Sequence, residues 1–355
     1  MKILDWYIGK IVAGSTFITL TVFASVSAII LFVDQMKIVG RGNYDLSHAV
    51  LYVLYSVPSD LELFFPMAAL VGGLIGIGIL ASNSELIVMQ SAGMSKLNII
   101  SSVMKTAVLL MALNMAIGEW LSPPSVAFAR EIKSQAISGG SLISSQNGVW
   151  LKDGDFFVHI GEVENTVTLN QIQIYRFNDD LKLTSWLSAE KATYVNNQWL
   201  LQKVTNTQVT DKKIIEQHYP VQTWVSSLTP SKLSVVTVQP ESLSIKGLLD
   251  YLDYLHANQQ DPSRYQLALW RKIVQPLTVA VMLLLAMSFI FGPLRSVSMG
   301  ARIMMGIVTG LTFYICNEVF GSVSLVYQLP PLLGAVVPSL LFVTVAIYLM
   351  NKQAS

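Results

Sequence analysis

A charge-free apolar run at residues 11–33 constrains the fold of this chain more than any other feature. Its length is what a helix needs to cross the roughly 30 Å hydrocarbon core of a bilayer. Because the run exceeds the about 7–15 apolar residues of a signal peptide, we interpret it as a retained first span. Five further apolar runs follow at residues 63–81, 99–121, 273–292, 303–323 and 332–350. The sequence therefore predicts an α-helical membrane protein with six transmembrane helices.

The composition supports this class and argues against several functions. Only 13% of the residues are charged, compared with about 25% in ordinary soluble domains. The net charge of +1 gives no overall field that would favour nucleic acid. The single cysteine, Cys316, cannot form an intrachain disulfide.

Prolines and glycines predict details within the second and third spans. Pro58 and Pro66 favour a bend in a second helix that begins before the bilayer. The Gly-x-x-x-Gly spacing of Gly72 and Gly76 permits close contact with another helix. Pro123 and the proline after it predict the end of the third span, followed by a short polar helix.

The character of the sequence changes between residues 141 and 238. Short β-prone runs alternate there with turn signals such as Asp153-Gly154 and Asn196-Asn197. This spacing predicts an inserted all-β domain, an antiparallel sandwich or roll. The predicted strands are residues 149–152, 155–160, 171–177, 182–187, 198–204 and 221–225. A helix at 242–258 follows, with an expected apolar face of Leu248, Leu249, Leu252 and Leu255.

A short polar stretch, residues 82–96, interrupts the apolar runs between the second and third spans. Ser82 and Glu85 have the spacing of a capping box at a helix start. Gly93 is well placed to end that helix in a left-handed conformation. Leu86, Ile87, Met89 and Gln90 give about two turns with an apolar side. The stretch is either a capped loop or a helix on which a soluble partner docks, with Glu85 at its rim.

The distribution of basic residues predicts the orientation of the chain. With the N-terminus inside, the short inner segments carry six basic residues, and the short outer segments carry only Lys37 and Arg41. The β-domain then faces outward, and residues 82–96 face the cytoplasm. The two outer residues are either ordinary loop charges or contacts for an anionic lipid headgroup. The six inner residues are Lys2, Lys10, Lys96, Arg295, Arg302 and Lys352.

The sequence carries no recognisable catalytic motif. It has no phosphate-binding loop, no zinc-type cysteine pair, and four scattered histidines. Charges within or beside the spans are rare enough to be candidates for function. These candidates are Glu62, Lys105, Glu119 and Glu318, and they form no obvious proton relay. An enzymatic function therefore has little support.

Several long segments, taken in order along the chain, resemble the lipopolysaccharide export permeases LptF and LptG. The segments are FVDQ at 32–35, FPMAAL at 65–70, SELIVMQ at 84–90, VMKTA at 103–107, AIGEW at 116–120, RYQL at 264–267 and FIFGPLRS at 289–296. The resemblance covers essentially the whole chain. It implies three transmembrane helices and a coupling helix in residues 1–121, a periplasmic insert with a β-jellyroll in 122–262, and three helices in 263–355.

The resemblance also implies partners and a task. Such a chain is half of the transmembrane unit of an ABC-type exporter in the bacterial inner membrane, with both termini cytoplasmic. Its implied partners are the paralogous permease LptF, two copies of the ATPase LptB, and the membrane-anchored periplasmic protein LptC. The unit extracts lipopolysaccharide and passes it to a periplasmic bridge. The resemblance also implies that this chain binds no cofactor and that LptB uses ATP and Mg. The competing interpretation is a membrane scaffold that organises an envelope assembly without transport.

Site residues follow from the same resemblance, with Arg41 added by the charge argument. ATPase coupling is expected at Ser84, Glu85, Leu86, Met89 and Gly93. Lipid phosphate contacts are expected at Lys37, Arg41, Arg130 and Lys133, whereas Leu31 and Ile38 stand where basic residues are expected. An apolar lipid path is expected along Phe23, Ile30, Phe32, Phe65, Ile315, Phe320, Ile172 and Ile174. The first and fifth spans are expected to border a lateral opening.

Overall fold

A computed structural model describes residues 3–138, 148–165, 167–178, 182–210, 213–226, 228–230, 239–292 and 297–352. Arg295 and Lys2, which entered the orientation argument, lie outside these ranges, as do residues 141–147 and 231–238 at the ends of the predicted β-domain. The described part contains six helices that are long and apolar enough to span a bilayer, as predicted.

The helices are numbered in chain order. The first spans are α1 (Ile3–Met36) and α2 (Leu46–Ser82), followed by the short α3 (Glu85–Ser91). The third span begins with α4 (Lys96–Ala116) and continues through a π-helical turn (Ile117–Leu121) into α5 (Ser122–Ser138). After the β-domain come a 3₁₀ turn (Pro240–Ser242), α6 (Ile245–Ala257) and the last three spans, α7 (Ser263–Phe291), α8 (Met299–Val326) and α9 (Pro331–Asn351).

The chain divides into two compact units. The first, Met1–Val33 with Leu54–Val126 and Ser263–Ser355, holds most of the membrane helices. Its core lies along α2, α4 and α7, where Leu74, Val103 and Leu283 are fully buried. The second unit, Asp34–Val53 with Ala127–Pro262, holds the β-domain.

Helices α1 and α2 approach each other closely at the predicted Gly-x-x-x-Gly spacing. A Cβ added to Gly72 would lie 2.4 Å from Cα of Thr16, and one added to Gly76 would lie 2.5 Å from Oγ of Ser15. The same hydroxyl of Ser15 donates a 2.7 Å hydrogen bond to the carbonyl of Gly72. The predicted close contact is confirmed.

The predicted short polar helix after the third span is α5, and it continues from α4 without a break through the π-helical turn that precedes Pro123-Pro124. Proline lacks an amide hydrogen and clashes with the carbonyl four residues before it in an α-helix. The wider π turn displaces those carbonyls, so the chain can stay helical.

The inserted antiparallel β-domain is confirmed, with longer strands than predicted. The strands are β1 (Val149–Asp153), β2 (Phe156–Asn165), β3 (Thr168–Phe177), β4 (Leu183–Val195), β5 (Gln198–Thr210) and β6 (Lys213–Trp224). They pair in chain order as one meander. The crossover connection by which a jelly roll joins two sheets is not among the described pairings.

The two faces of this sheet differ in burial. Ile172, Ile174 and Trp199 lie on the buried face, and Nε1 of Trp199 donates a 2.7 Å hydrogen bond to the carbonyl of Leu228. On the opposite face Tyr175 stacks against Trp186 with ring centroids 6.2 Å apart. Cross-strand aromatic pairs of this kind stabilise an antiparallel sheet.

Helix α6 has a different buried face from the one predicted. Leu248, Leu252 and Leu255 are buried, but Leu249 is 48% exposed. Tyr251 and Tyr254 take its place, and the hydroxyl of Tyr254 donates to the carbonyl of Lys152 at 2.7 Å. Burial raises the pKa of Tyr254 well above its usual value. The predicted apolar face was based on leucines alone. It missed the tyrosines, because a tyrosine can be buried when its hydroxyl forms a hydrogen bond.

Candidate functional site

The stretch between the second and third spans contains a helix, but the predicted capping box is wrong. Helix α3 begins at Glu85 after Ser84, which has a left-handed φ of 62° and makes no side-chain cap bond. Ser82 belongs to the last turn of α2, and its hydroxyl donates to the carbonyl of Ile79 at 2.9 Å. A serine inside a helix commonly bonds back to the preceding turn, so Ser82 is unavailable as a cap.

The carboxylate of Glu85 is bonded within the chain. The Tyr7 hydroxyl of α1 donates to Oε2 of Glu85 at 2.9 Å. The Asn83 amide donates to Oε1 of Glu85 at 3.3 Å. No pattern in the sequence predicted the contact with Tyr7, because the two residues are 78 positions apart along the chain.

Gly93 ends α3 as predicted. It has a φ of 95°, a region that side-chain-bearing residues rarely adopt. Its amide donates to the carbonyl of Gln90, and the amide of Met94 donates to the carbonyl of Met89, both at 3.0 Å. This pair of bonds is a Schellman motif, which satisfies carbonyls that a helix end leaves open.

The apolar residues of α3 divide into an inner and an outer pair. Leu86 and Met89, expected at the coupling site, are buried in the membrane core. Ile87 and Val88 are 58% and 65% exposed. Since α3 is too short to be stable alone, the inner pair anchors it and the outer pair forms its accessible surface. We call Ile87 and Val88 the docking pair.

Lys37 and Arg41 lie in the loop between α1 and α2. Nζ of Lys37 forms an exposed ion pair with Asp34 at 2.7 Å, and Arg41 is exposed. The loop packs on the C-terminal end of α5, where the amide of Asn43 donates to the carbonyl of Ala136 at 2.7 Å. Gly42 has a φ of 58°, and a Cβ there would lie 2.5 Å from the carbonyl oxygen of Ile137. Only glycine fits this contact.

The other side of this loop is fixed by two residues. Tyr44 is buried and donates a 3.1 Å hydrogen bond to Oε1 of Gln35, and burial raises the pKa of Tyr44 to about 12. Hydrogen bonds from the Ser47 hydroxyl and the His48 amide hold the pKa of the Asp45 carboxyl well below its usual range. Tyr44 therefore stays neutral and Asp45 ionised at neutral pH.

Arg130 and Lys133 lie on α5, the helix that this loop contacts. Both are half-buried. Nη2 of Arg130 is 3.5 Å from Oγ of Ser242, and Nζ of Lys133 lies 4.9 Å from the ring centroid of Tyr52. The structure thus places the four expected phosphate contacts on two adjoining elements of the second unit.

The residues expected along the lipid path differ in burial. Ile30 on α1 and Ile315 on α8 are 60% and 52% exposed. The remaining six are half-buried or buried. The half-buried residues are Phe23, Phe32 and Phe320, and the buried ones are Phe65, Ile172 and Ile174.

Several charges within the membrane helices form ion pairs, which the sequence had not indicated. Lys272 of α7 and Glu62 of α2 are both buried and form an ion pair at 3.3 Å. A Cβ on Gly118, in the π turn, would lie 2.5 Å from Oε1 of Glu62. The absence of a side chain at Gly118 therefore leaves room for this carboxylate.

Two further pairs involve charges that the sequence had singled out. Nη1 of Arg271 lies 3.2 Å from Glu318, and Nζ of Lys105 lies 2.7 Å from Asp5. A charge inside a membrane is costly unless it is paired. A search for opposite charges on other spans could therefore have found these partners from the sequence. Among the described residues, no cluster of three or more His, Cys, Asp or Glu could hold a metal ion.

Comparison with known proteins places this arrangement in a family. The model for the lipopolysaccharide export system permease LptF/LptG matches residues 6–352. The chain belongs to this family. It is 47% identical to the lipopolysaccharide export system permease protein LptG of Escherichia coli K12, over 99% of both chains. It is also 47% identical to the protein of that name from Haemophilus influenzae, over 99% of this chain and 98% of the other.

Membership of the LptF/LptG family and the six spans together define the protein class. The chain is a multi-pass inner-membrane protein and a permease subunit. The family match includes α3, the charged loop, the β-domain and the paired membrane charges.

The buried pair of Glu62 and Lys272 yields a stability prediction. Lys272→Met leaves a buried carboxylate without its cation and should lower the stability to unfolding by about 3–5 kcal/mol. Glu62→Gln combined with Lys272→Met removes both charges and should recover most of the loss. Thermal unfolding of the purified protein in lipid nanodiscs measures the effect.

Lys37→Met is the matched control, because it breaks an exposed ion pair with Asp34. It should cost at most about 1 kcal/mol. A double variant as unstable as Lys272→Met alone would show that the ion pair is not the source of the stability.

Proposed function

We propose that this chain is the transmembrane permease subunit of an ABC-type transporter that extracts lipopolysaccharide from the inner membrane. It passes the lipid to a periplasmic bridge leading toward the outer membrane. The match to the LptF/LptG family from residue 6 to residue 352 carries this proposal. The docking pair on α3 supports it, because it offers an accessible apolar surface held on a firmly anchored helix.

The proposed assembly contains this chain, the paralogous permease LptF, two copies of LptB and the membrane-anchored LptC. LptB binds and hydrolyses ATP with Mg, and this chain binds no cofactor. Both termini are proposed to be cytoplasmic and the β-domain periplasmic, on the distribution of Lys and Arg in the short loops.

Lipid extraction requires a protein surface that replaces the bilayer around the acyl chains. Each methylene exposed to water costs about 0.8 kcal/mol, so several chains cannot leave the membrane unprotected. We propose that the lipid enters between α1 and α8, beside the exposed Ile30 and Ile315. Closure of that space would move the lipid toward the β-domain. There, its acyl chains would displace side chains around Ile172 and Ile174.

The charged loop and α5 are proposed to bind the phosphates of lipopolysaccharide. Lys37 is suited to this role, since an exposed ion pair such as Lys37–Asp34 is worth only about 0–1 kcal/mol. A phosphate can therefore replace the carboxylate of Asp34 at little cost. Arg41, Arg130 and Lys133 would add positive charge on the same two elements.

The docking pair yields the first prediction for this function. Replacing Ile87 and Val88 together by Ser should weaken copurification of the ATPase, and ATP-dependent release of lipopolysaccharide from proteoliposomes should fall roughly tenfold or more. The reason is that burial of each apolar side chain is worth about 1.5–3 kcal/mol.

Val225→Ser is the matched control, because Val225 is 76% exposed on the β-domain. It should leave both measurements unchanged. A membrane scaffold without transport would show no ATP-dependent release even with the unmodified chain, and that result would contradict the proposed function.

A second prediction concerns Lys37. Lys37→Glu should reduce photocrosslinking of lipopolysaccharide to the loop about tenfold at low salt, and more than Lys37→Ala does. The difference should shrink at high salt, because screening acts over about 8–10 Å near physiological ionic strength. Lys182→Glu makes the same charge change at an exposed position of the β-domain and should have no effect. Equal crosslinking by Lys37→Glu and the unmodified chain would refute the phosphate contact.

A further inference from the structure

The first turns of α1 are bonded to α3 and to α4. Tyr7 donates to Glu85 of α3 at 2.9 Å. Asp5 accepts hydrogen bonds from Ser102 and Lys105 of α4, the latter at 2.7 Å. The N-terminal end of the first span is therefore bonded to α3 and to the third span.

Packing reinforces this attachment along the N-terminal half of α1. Ile8 and Val12 are completely buried. A Cβ on Gly9 would lie 2.7 Å from Oγ1 of Thr106, so the backbone of α1 passes close to α4. The C-terminal half of α1 also has an exposed face, on which Val26 and Ile29 are 53% and 64% exposed. The helix is about 50 Å long at 1.5 Å per residue.

Glu85 connects α3 to two other parts of the chain. Both of its carboxylate oxygens accept hydrogen bonds from this chain, one from Tyr7 and one from Asn83. Helix α3 has only seven residues, and the buried Leu86 and Met89 fix only its inner face. The bond from Tyr7 adds a lateral connection between α3 and the first span.

We propose that Tyr7 is a positioning residue that connects α3, the helix that carries the docking pair, to the first span. Through its hydrogen bond to Glu85, a displacement of α3 also displaces the N-terminal end of α1. Since α1 is one continuous helix, its exposed C-terminal half moves with it. This inference rests on the proposed function, because it requires a soluble ATPase that moves α3.

The test is made on the complete transporter, reconstituted with its partner permease and ATPase in proteoliposomes that contain lipopolysaccharide. The measured quantity is the amount of lipopolysaccharide released per ATP hydrolysed. Tyr7→Phe removes only the hydroxyl and should lower this ratio about fivefold, which corresponds to about 1 kcal/mol. Copurification of the ATPase should be unchanged.

Tyr348→Phe is the matched control. Tyr348 is 63% exposed on α9, and no hydrogen bond of its hydroxyl occurs among the described residues. The control should release as much lipopolysaccharide per ATP as the unmodified chain.

A double-mutant comparison separates the proposed bond from a general structural effect. Glu85→Ala should lower the ratio at least as much as Tyr7→Phe, and adding Tyr7→Phe to Glu85→Ala should have no further effect. Glu85→Gln keeps a carbonyl oxygen that can accept from Tyr7, so it should retain more coupling than Glu85→Ala. Additive losses would overturn the proposal.

The outcomes distinguish this inference from the proposed function. If the unmodified transporter releases no lipopolysaccharide with ATP, the proposed function fails. If it does so and Tyr7→Phe behaves identically, only the role of Tyr7 is refuted. If Tyr7→Phe releases the ATPase from the complex, Tyr7 is part of the docking surface and the positioning role is also refuted.

Discussion

The hydrocarbon interior of a bilayer contains no water to solvate polar groups, and the membrane part of this chain depends on that constraint. Backbone groups are satisfied within six helices. The buried charges Glu62 of α2 and Lys272 of α7 form an ion pair between the two helices. The irregular π turn occurs beside Glu62, where Gly118 leaves space for the carboxylate. The buried ion pair of Glu62 and Lys272 thus links two separate helices.

Contacts between separate helices also hold the first span. Its N-terminal end is bonded to α3 and α4 through Tyr7 and Asp5. Near its centre, the backbone at Thr16 packs directly against Gly72 of α2. Its C-terminal half carries exposed apolar residues such as Ile30. One continuous helix therefore connects the proposed site of ATPase docking with the proposed site of lipid entry.

Patterns with a local physical cause were predictable from the sequence, and contacts between distant residues were not. Apolar length predicted the six spans, and Gly93 predicted the left-handed end of α3. The capping box failed because the end of α2 was unknown, and Ser82 proved to lie within it. The continuous helix through the proline pair was not predictable, because it needs the preceding π turn, in which Gly118 packs against Glu62, more than fifty residues away. The resemblance supplied the site residues. Only the structure distinguished the buried Leu86 and Met89, which anchor α3, from the exposed Ile87 and Val88.

The central claim is that the nucleotide state of the ATPase moves α1 relative to α8. Spin labels at the exposed positions Ile30 and Ile315, with Cys316→Ala to remove the native thiol, measure that distance directly by pulsed electron resonance in the complete transporter. Our account predicts different distance distributions without nucleotide and with ATP trapped by vanadate. Identical distributions in the two states, in a preparation that still hydrolyses ATP and releases lipopolysaccharide, would contradict it.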